Sequence, residues 1–269
     1  MENKIDFSKL AGIYEDYSSA QKSAGDTLLN LLKIGNNEDV LDLGCGVGNL
    51  TRKIREMTRG RVVGIDPSEG MIKEAKGKSR GHDITFEIEG AEEMDYKDHF
   101  DLIFCNSCFQ WFKEPQKVIE NCYAALRKDG RMGVQAPAKK VYNPNFIEAV
   151  QNVKKDPRTR DIFAYFKEPW FFLESSNEYK NLFERSGFKV VFSEIETIKT
   201  EATPEEVFNN FSSGAIVGYL SQDFYNVEIN GNYIDSFKEI ARETFFRQAN
   251  NQRKIELIFN RVFLVAIKR

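Results

Sequence analysis

The stretch that most constrains this chain is VLDLGCGVGNL, residues 40–50, where an apolar run ends in three glycines within five positions. The apolar run is typical of a buried strand, and Leu50 and Ile54 begin a helical pattern directly after the glycines. Glycines allow a sharp turn and let a ligand approach the main chain closely. Unpaired N–H groups at the start of the helix would face that ligand. The stretch therefore predicts a strand, a tight glycine turn and a helix that together bind a cofactor.

Two features distinguish this turn from one that binds a dinucleotide. The glycines follow the spacing G-x-G-x-G rather than G-x-G-x-x-G, and Asp42 lies inside the strand, two residues before Gly44. A carboxylate at that point would repel a pyrophosphate and attract an ammonium or sulfonium group. The next strand, RVVGI, ends at Asp66, whose carboxylate would accept hydrogen bonds from ribose hydroxyls. The glycine spacing and Asp42 therefore favour S-adenosylmethionine over NAD.

VLDLGCGVGNL followed by VVGIDPSEGMI resembles the first two motifs of the class I S-adenosylmethionine-dependent methyltransferases. The resemblance implies S-adenosylmethionine as the cofactor and S-adenosylhomocysteine as its product. The expected cofactor-binding residues lie in these motifs, just past the third and fourth strands and in the N-terminal segment: Asp42, Gly44, Cys45, Gly46, Gly48, Asp66, Pro67, Met71, Ala91, Glu92, Asn106 and Tyr17.

The segment after the third strand departs from the family pattern. Family members commonly have Gly-Asp-Ala there, whereas this chain has Glu89-Gly90-Ala91-Glu92, with Gly90 in the place of the acid. By the resemblance, adenine recognition is expected to rest on the backbone of Ala91 with Glu92 nearby. The alternative is a solvated acidic loop without a ligand.

Strands and helices alternate from residue 39 to residue 136, which predicts an α/β fold with a doubly wound parallel sheet. Strands are predicted at 39–43, 61–65, 84–88, 101–105 and 131–136, and helices at 49–58, 68–80 and 114–127. A helix at 176–186 and strands at 188–198 and 255–267 follow. The last two strands should pair antiparallel, which by the resemblance completes a Rossmann-like methyltransferase sheet of seven strands, mostly parallel with an antiparallel last strand.

The chain, with 22 Phe and 10 Tyr, is predicted to form one methyltransferase domain over residues 1–269. The core sheet would comprise 36–136 with 188–198 and 255–269. A helical, aromatic-rich cap would comprise 1–34, 137–175 and 204–248. An apolar lid of this size favours a medium-sized, partly hydrophobic substrate.

Two short patterns bear on the substrate. Asn106-Ser-Cys-Phe-Gln110-Trp111 is similar to the N-x-x-x-Q-W segment of small-molecule carboxyl methyltransferases that act on trans-aconitate, malonyl-carrier protein and juvenile hormone acid. Residues 14–21 match the Y-x-x-x-[NS]-x-x-Q pattern of the juvenile hormone acid enzymes, from Tyr14 to Gln21. The resemblance implies that Gln21 and Trp111 orient a carboxylate, with Gln110 and Tyr14 as neighbours. The arginine that trans-aconitate enzymes have near the position of Gln21 is missing, which argues against a tricarboxylate.

The reaction expected from these residues is O-methylation of a carboxylate by alignment and desolvation. A carboxylate is already ionised at pH 7 and needs no general base. Neither His82 nor His99 is beside a cofactor motif, so no catalytic residue is assigned. Cys105-x-x-Cys108 has no second ligand pair nearby, so no metal is expected.

The net charge of −3 and the lack of a basic run argue against a nucleic-acid partner. No apolar run approaches the length of a membrane span, and the N-terminus lacks signal-peptide character. We expect a cytoplasmic monomer or weak dimer that acts on a small molecule and does not bind a membrane. Three alternatives remain open: N- or C-methylation of another metabolite, methylation of a protein or RNA, and cofactor binding without catalysis.

Overall fold

The computed structural model describes residues 19–269, and the side chains of residues 24–269. In this part of the chain, one sheet contains seven strands: β1 (Val40–Leu43), β2 (Val62–Asp66), β3 (Thr85–Ile88), β4 (Phe100–Asn106), β5 (Leu126–Pro137), β6 (Lys189–Ala202) and β7 (Ile255–Ile267). The α-helices are α1 (Ser19–Leu32), α2 (Asn49–Met57), α3 (Glu69–Lys78), α4 (Pro115–Ala125), α5 (Pro144–Lys155), α6 (Arg160–Phe163), α7 (Ser176–Arg185), α8 (Pro204–Ser213), α9 (Ala215–Tyr219) and α10 (Gly231–Gln248).

The predicted fold class is confirmed. The strand order is β3-β2-β1-β4-β5-β7-β6, in which β1 to β5 are parallel and β7 is antiparallel to both of its neighbours. The bounds of β1 to β4 agree with the predicted ones within one residue. β5 begins at Leu126 rather than 131, because Leu126 pairs with Phe100 before an irregularity that shifts the register.

Each face of the sheet is covered by helices. Side chains alternate between the two faces along a strand. Leu41 and Leu43 of β1 belong to a core shared with α4 and α7, whereas Val40 belongs to a core shared with α1 and α2. Asp42 therefore lies on the same face as Val40, towards α2. The described part of the N-terminal segment packs on this face through leucines 28, 29 and 32 of α1.

Strands β6 and β7 extend beyond their neighbour. The pairing of β5 with β7 ends at Pro137 and Arg261, whereas β6 and β7 remain paired as far as Ala202 and Ile255. The strand predicted at 188–198 is therefore longer than expected. A two-stranded ribbon, 197–202 with 255–260, projects past the carboxyl end of β5.

A second hydrophobic core lies on this ribbon. Ala202, Ile255 and Leu257 pack with aromatic side chains from the helices that follow β5 and β6. The rings are in direct contact: the centroid of Phe146 lies 5.0 Å from that of Phe211 and 5.9 Å from that of Phe245. We call α5, α6, α8, α9 and α10 the helical cap. The predicted helical segment 204–248 is three helices, the first two separated at Gly214, and residues 220–230 are not α-helical.

Among residues 19–269, we find no helix with both the length and the apolar composition that crossing a bilayer requires.

The stability of the helical cap can be tested on adjacent residues of α10. Phe245 is fully buried against Phe146 and Phe211, whereas Phe246 is 56% exposed. We expect Phe245→Ala to lower the free energy of unfolding by about 3–5 kcal/mol, because it leaves a cavity among rings. The matched control Phe246→Ala should change it by at most about 0.5 kcal/mol. Urea unfolding measures both, and equal losses would contradict the packing described here.

Candidate functional site

The glycine turn after β1 has a backbone conformation that residues with a side chain rarely adopt. Gly44, Gly46 and Gly48 have φ angles of +72°, +54° and +77°, in the left-handed region that glycine enters without steric cost. The N–H groups of Gly44 and Cys45 both donate to the carbonyl of Ile65, at 2.9 and 3.0 Å. The turn is therefore fixed against the end of β2, and Gly48 begins α2 as its N-cap.

The three glycines differ in what surrounds them. A Cβ at Gly44 would lie 2.6 Å from the Cβ of Cys108, and one at Gly48 would lie 2.9 Å from the ring of Phe86. A Cβ at Gly46 would meet no heavy atom within 4 Å. Gly44 and Gly48 are thus required by packing, whereas Gly46 borders open space. That space above the main chain is suited to a ligand that approaches the backbone closely.

Asp66, at the end of β2, is held facing the turn. Its Oδ2 accepts the N–H of Gly46 at 3.0 Å, and its Oδ1 accepts the N–H of Ser68 at 2.9 Å. Each carboxylate oxygen has a further lone pair that a ligand hydroxyl could use. Burial raises the pKa of Asp66, and its two backbone hydrogen bonds oppose that shift.

Asp42 is a buried acid beneath the turn. Its side chain is only 3% exposed, and the hydroxyl of Thr51 donates to its Oδ2 at 2.6 Å. Burial raises the pKa of Asp42 to about 7, the hydrogen bond from Thr51 opposes the shift, and the charge of Asp66 adds to it. A cation bound nearby would favour the ionised form of Asp42.

The segment after β4 presents two buried oxygens. Asn106 Oδ1 and Gln110 Oε1 have no hydrogen-bond partner within the described residues. Gln110 donates from Nε2 to the carbonyl of Ser107 at 2.9 Å, which fixes its remaining amide atom as an acceptor. Both oxygens would therefore accept hydrogen bonds from ligand donors, such as an ammonium group. Asn106 is paired in register with Gln135 and directly follows Cys105, the register partner of Leu43, so it lies beside the glycine turn.

The remaining predicted residues lie around the same edge. Met71 is buried in the first turn of α3, and Pro67 is exposed just after β2. The carbonyls of Ala91 and Glu92 both accept from Asn121 at 3.1 Å. The carboxylate of Glu92 accepts the N–H of Lys113 at 3.0 Å, which ties the loop after β3 to the segment after β4. Trp111 is half-buried, with its ring centroid 5.5 Å from that of Trp170.

Three predicted residues are not placed. Tyr14 and Tyr17 lie outside the described residues, and only the backbone of Gln21 is described, within α1. The structure thus brings the glycine turn, Asp66 and the segment after β4 together at one edge of the sheet. The contribution expected from residues 14–21 stays a prediction.

Three residues at the site were not anticipated as such. Thr51 donates to Asp42, Ser107 has a φ of +59°, and Cys108 Sγ donates to the carbonyl of Leu43 at 3.0 Å. The cysteine pair, for which no metal is expected from the sequence, packs on the turn, and the Sγ atoms of Cys105 and Cys108 are 3.1 Å apart. Within residues 19–269, no group of three potential metal ligands is present. Only the contact of Thr51 with Asp42 had an indication in the sequence: Thr51 falls in the first turn of α2, which faces the strand that contains Asp42.

Comparison with known proteins identifies what the chain resembles. A family model described as a methyltransferase domain matches residues 34–187. A malonyl-[acyl-carrier protein] O-methyltransferase of Acetivibrio thermocellus is 31% identical over 130 residues, which are 47% of this chain and 46% of the relative. The enzyme of the same name from Bacillus cereus is 30% identical over 129 residues, 46% of this chain and 48% of the relative. The matches thus span about half the length of these relatives.

A solved structure supports the fold alone. The YcgJ protein from Bacillus subtilis superposes with a TM-score of 0.60 at 16% identity, covering 92% of this chain and 99% of that one. At this level of identity, the similarity gives the architecture and leaves the chemistry to the residues of the site.

The titration of Asp42 has a measurable effect on stability. The folded state retains the Asp42 proton up to about pH 7, whereas the unfolded chain releases it near the ordinary pKa of 3.8. The contribution of Asp42 to the free energy of unfolding is therefore fully present below pH 3.8, where Asp42 is protonated in both states. This contribution is lost as the pH rises through about 7, where the folded state also releases the proton. Asp42→Asn removes this titration and keeps an acceptor for Thr51. As the pH rises from about 4.5 to about 8, we expect the free energy of unfolding of the variant to increase relative to that of the wild type, on the order of 3 kcal/mol.

Urea unfolding at several pH values between about 4.5 and 8 measures this difference. Asp156→Asn is the control, because the hydrogen bond from Arg158 lowers the pKa of Asp156 below 3.8. Its difference from the wild type should stay constant over the same range. Parallel profiles for Asp42→Asn and the wild type would show that Asp42 titrates normally.

Proposed function

This chain belongs to the methyltransferase-domain family, and on that premise we propose that it transfers the methyl group of S-adenosylmethionine to a carboxylate of a small molecule. The observation that most supports cofactor binding is the glycine turn: Gly46 borders open space while its N–H is held by Asp66. The methyltransferase reaction takes an activated methyl group from the cofactor, and the protein supplies alignment, desolvation and electrostatics.

The residues of the turn fit this cofactor by their chemistry. Gly46 leaves room for a ligand against the main chain, and Asp66 retains acceptor lone pairs for ribose hydroxyls. The buried oxygen of Asn106 is an acceptor suited to an ammonium group. A cationic ligand would favour the ionised form of Asp42 beneath the turn, and that carboxylate would attract a cation and repel a pyrophosphate.

The positions of the two histidines favour a carboxylate as the acceptor. His82 precedes β3 and His99 precedes β4, so both are at the amino ends of strands, opposite the glycine turn. A carboxylate needs no base, unlike most nitrogen and carbon nucleophiles, and therefore needs no histidine beside the turn.

The names of the relatives suggest the acyl group. Both are called malonyl-[acyl-carrier protein] O-methyltransferases, and a malonyl thioester has one free carboxylate. We infer that the acceptor of this chain is a short acid of this kind, free or attached to a carrier. Trp111 and Gln21 are the residues we assign to its orientation, with Gln110 and Tyr14 as neighbours, whereas Tyr17 is assigned to the cofactor. A cytoplasmic location and a monomeric or weakly dimeric state stay predictions.

The helical cap is the element that we assign to covering the acceptor. The ribbon of β6 and β7 projects from the same edge of the sheet as the glycine turn, and the cap packs on this ribbon. Cap and sheet would then act as one domain that excludes water from the reacting atoms, which strengthens electrostatic interactions there.

Cofactor binding is tested by substituting two glycines that both have a positive φ angle. Gly46 has φ +54° and Gly81 has φ +87°, and a Cβ at either position meets nothing within 4 Å. We expect Gly46→Ala and Gly81→Ala to lose similar stability, about 1–2 kcal/mol each. Only Gly46→Ala should weaken S-adenosylmethionine binding in calorimetric titration, by on the order of tenfold or about 1.4 kcal/mol. Equal affinities for both variants would place the cofactor elsewhere, and binding of NAD by the wild type would refute the assignment.

The acceptor is tested by transfer of a labelled methyl group to malonyl-[acyl-carrier protein], with acetyl-[acyl-carrier protein] as the matched control. The two differ by the free carboxylate alone. We expect label only on the malonyl form and its conversion by alkali into volatile methanol, because a methyl ester hydrolyses whereas N- and C-methyl groups stay attached to the acid. Non-volatile label after alkali, or label on the acetyl form, would contradict O-methylation of the carboxylate.

A further inference from the structure

Residues 170–173, Trp-Phe-Phe-Leu, join the two hydrophobic cores of the molecule. Trp170 and Phe172 pack against the core of the helical cap, whereas Phe171 and Leu173 pack against the core of the sheet. Contacts that alternate in this way are typical of an extended backbone, whose successive side chains point to opposite sides. The segment, which we call the strap, therefore alternates between the two cores at every residue.

The strap is fixed to the segment that follows β4. The N–H of Phe171 donates to the carbonyl of Gln110 at 2.9 Å, and the ring of Phe171 lies 6.1 Å from that of Phe109. At its other end, the carbonyl of Leu173 accepts the N–H of Lys139 at 3.0 Å. The backbone beside Trp111 is thus bonded directly to a segment that is anchored in the cap.

One point on α9 contacts both tryptophan rings. A Cβ at Gly218 would lie 2.4 Å from Trp170 Cζ2 and 3.1 Å from Trp111 Cη2. The ring of Trp170 is also held edge-on by Tyr219, with 4.7 Å between centroids. Gly218 is in ordinary helix, so its backbone conformation does not require glycine there. The absence of a side chain is required by the close approach of the two indoles.

We propose that Trp170 is a positioning residue that fixes the indole of Trp111 at the carboxyl end of β4, and that Gly218 sets the distance between them. The effect on the acceptor rests on the proposed function, in which Trp111 orients the carboxylate. Trp170 transmits the position of the helical cap to Trp111 through direct ring contact. A displaced Trp111 would misalign the acceptor without changing the glycine turn, so acceptor recognition and cofactor binding should separate.

The chain has two tryptophans, Trp111 and Trp170, which makes their positions measurable. Protein labelled with 5-fluorotryptophan should give two fluorine resonances, and Trp170→Phe identifies the one that belongs to Trp111. We expect Gly218→Ala to shift the Trp111 resonance. The matched control is Gly77→Ala, another helical glycine, where a Cβ meets nothing within 4 Å and both resonances should stay in place.

Kinetics with malonyl-[acyl-carrier protein] give the functional readout. We expect Gly218→Ala and Trp170→Phe to raise the acceptor KM on the order of tenfold and to leave S-adenosylmethionine affinity unchanged. In the double variant, the phenyl ring that replaces the indole of Trp170 is smaller and makes room for the added methyl group. Its Tm should recover relative to Gly218→Ala while its acceptor KM stays high. A merely structural role would restore Tm and KM together, and that result would overturn the proposal.

The two proposals fail in different ways. If the wild type methylates no malonyl probe, the carboxylate assignment falls, and the Trp111 resonance still decides the positioning role. An unmoved Trp111 resonance in folded Gly218→Ala would overturn it. Should Gly218→Ala fail to fold, Trp170→Phe decides by its KM: an unchanged acceptor KM with intact cofactor binding overturns the proposal, and a raised one supports it.

Discussion

The hydrogen bond from the N–H of Gly46 to the carboxylate of Asp66 is the interaction on which the site depends. It joins the turn after β1 to the end of β2, and the paired donation of Gly44 and Cys45 to Ile65 reinforces the connection. These hydrogen bonds fix the turn in a conformation in which its middle glycine borders open space. The parallel register of β1 and β2 brings these atoms together, so the site is a direct consequence of strand order.

Much of this arrangement could be predicted from the sequence, because its signals are local. The acid in β1 and the glycines lie within residues 42–48, the acid at the end of β2 belongs to the next strand of the chain, and alternating strands and helices give the parallel sheet. The contacts that complete the site are not local. The thiol of Cys108 lies against Gly44 and the loop of Glu92 is bonded to Lys113 because β4 is inserted beside β1, which no short pattern encodes.

The length of the β6–β7 ribbon was missed for a similar reason. Residues 199–202 contain Lys, Thr, Glu and Ala, which do not form an apolar run, and they are strand because they pair with 255–258. Tertiary pairing here overrides a weak local preference. The packing role of Gly218 could not be predicted from the sequence either, since only the folded chain brings α9 against both tryptophans.

The same ribbon has a consequence for the order of folding. β7 follows both β5 and β6 in the chain, yet it lies between them in the sheet. During synthesis, the first five strands and the glycine turn emerge early and can pair with one another, whereas β6 has no neighbour until β7 arrives. The core of the helical cap includes Ile255 and Leu257 of β7, so it too must wait. The first five strands with the glycine turn can therefore form first, and the aromatic side chains of the helical cap stay exposed for longer, including to chaperones.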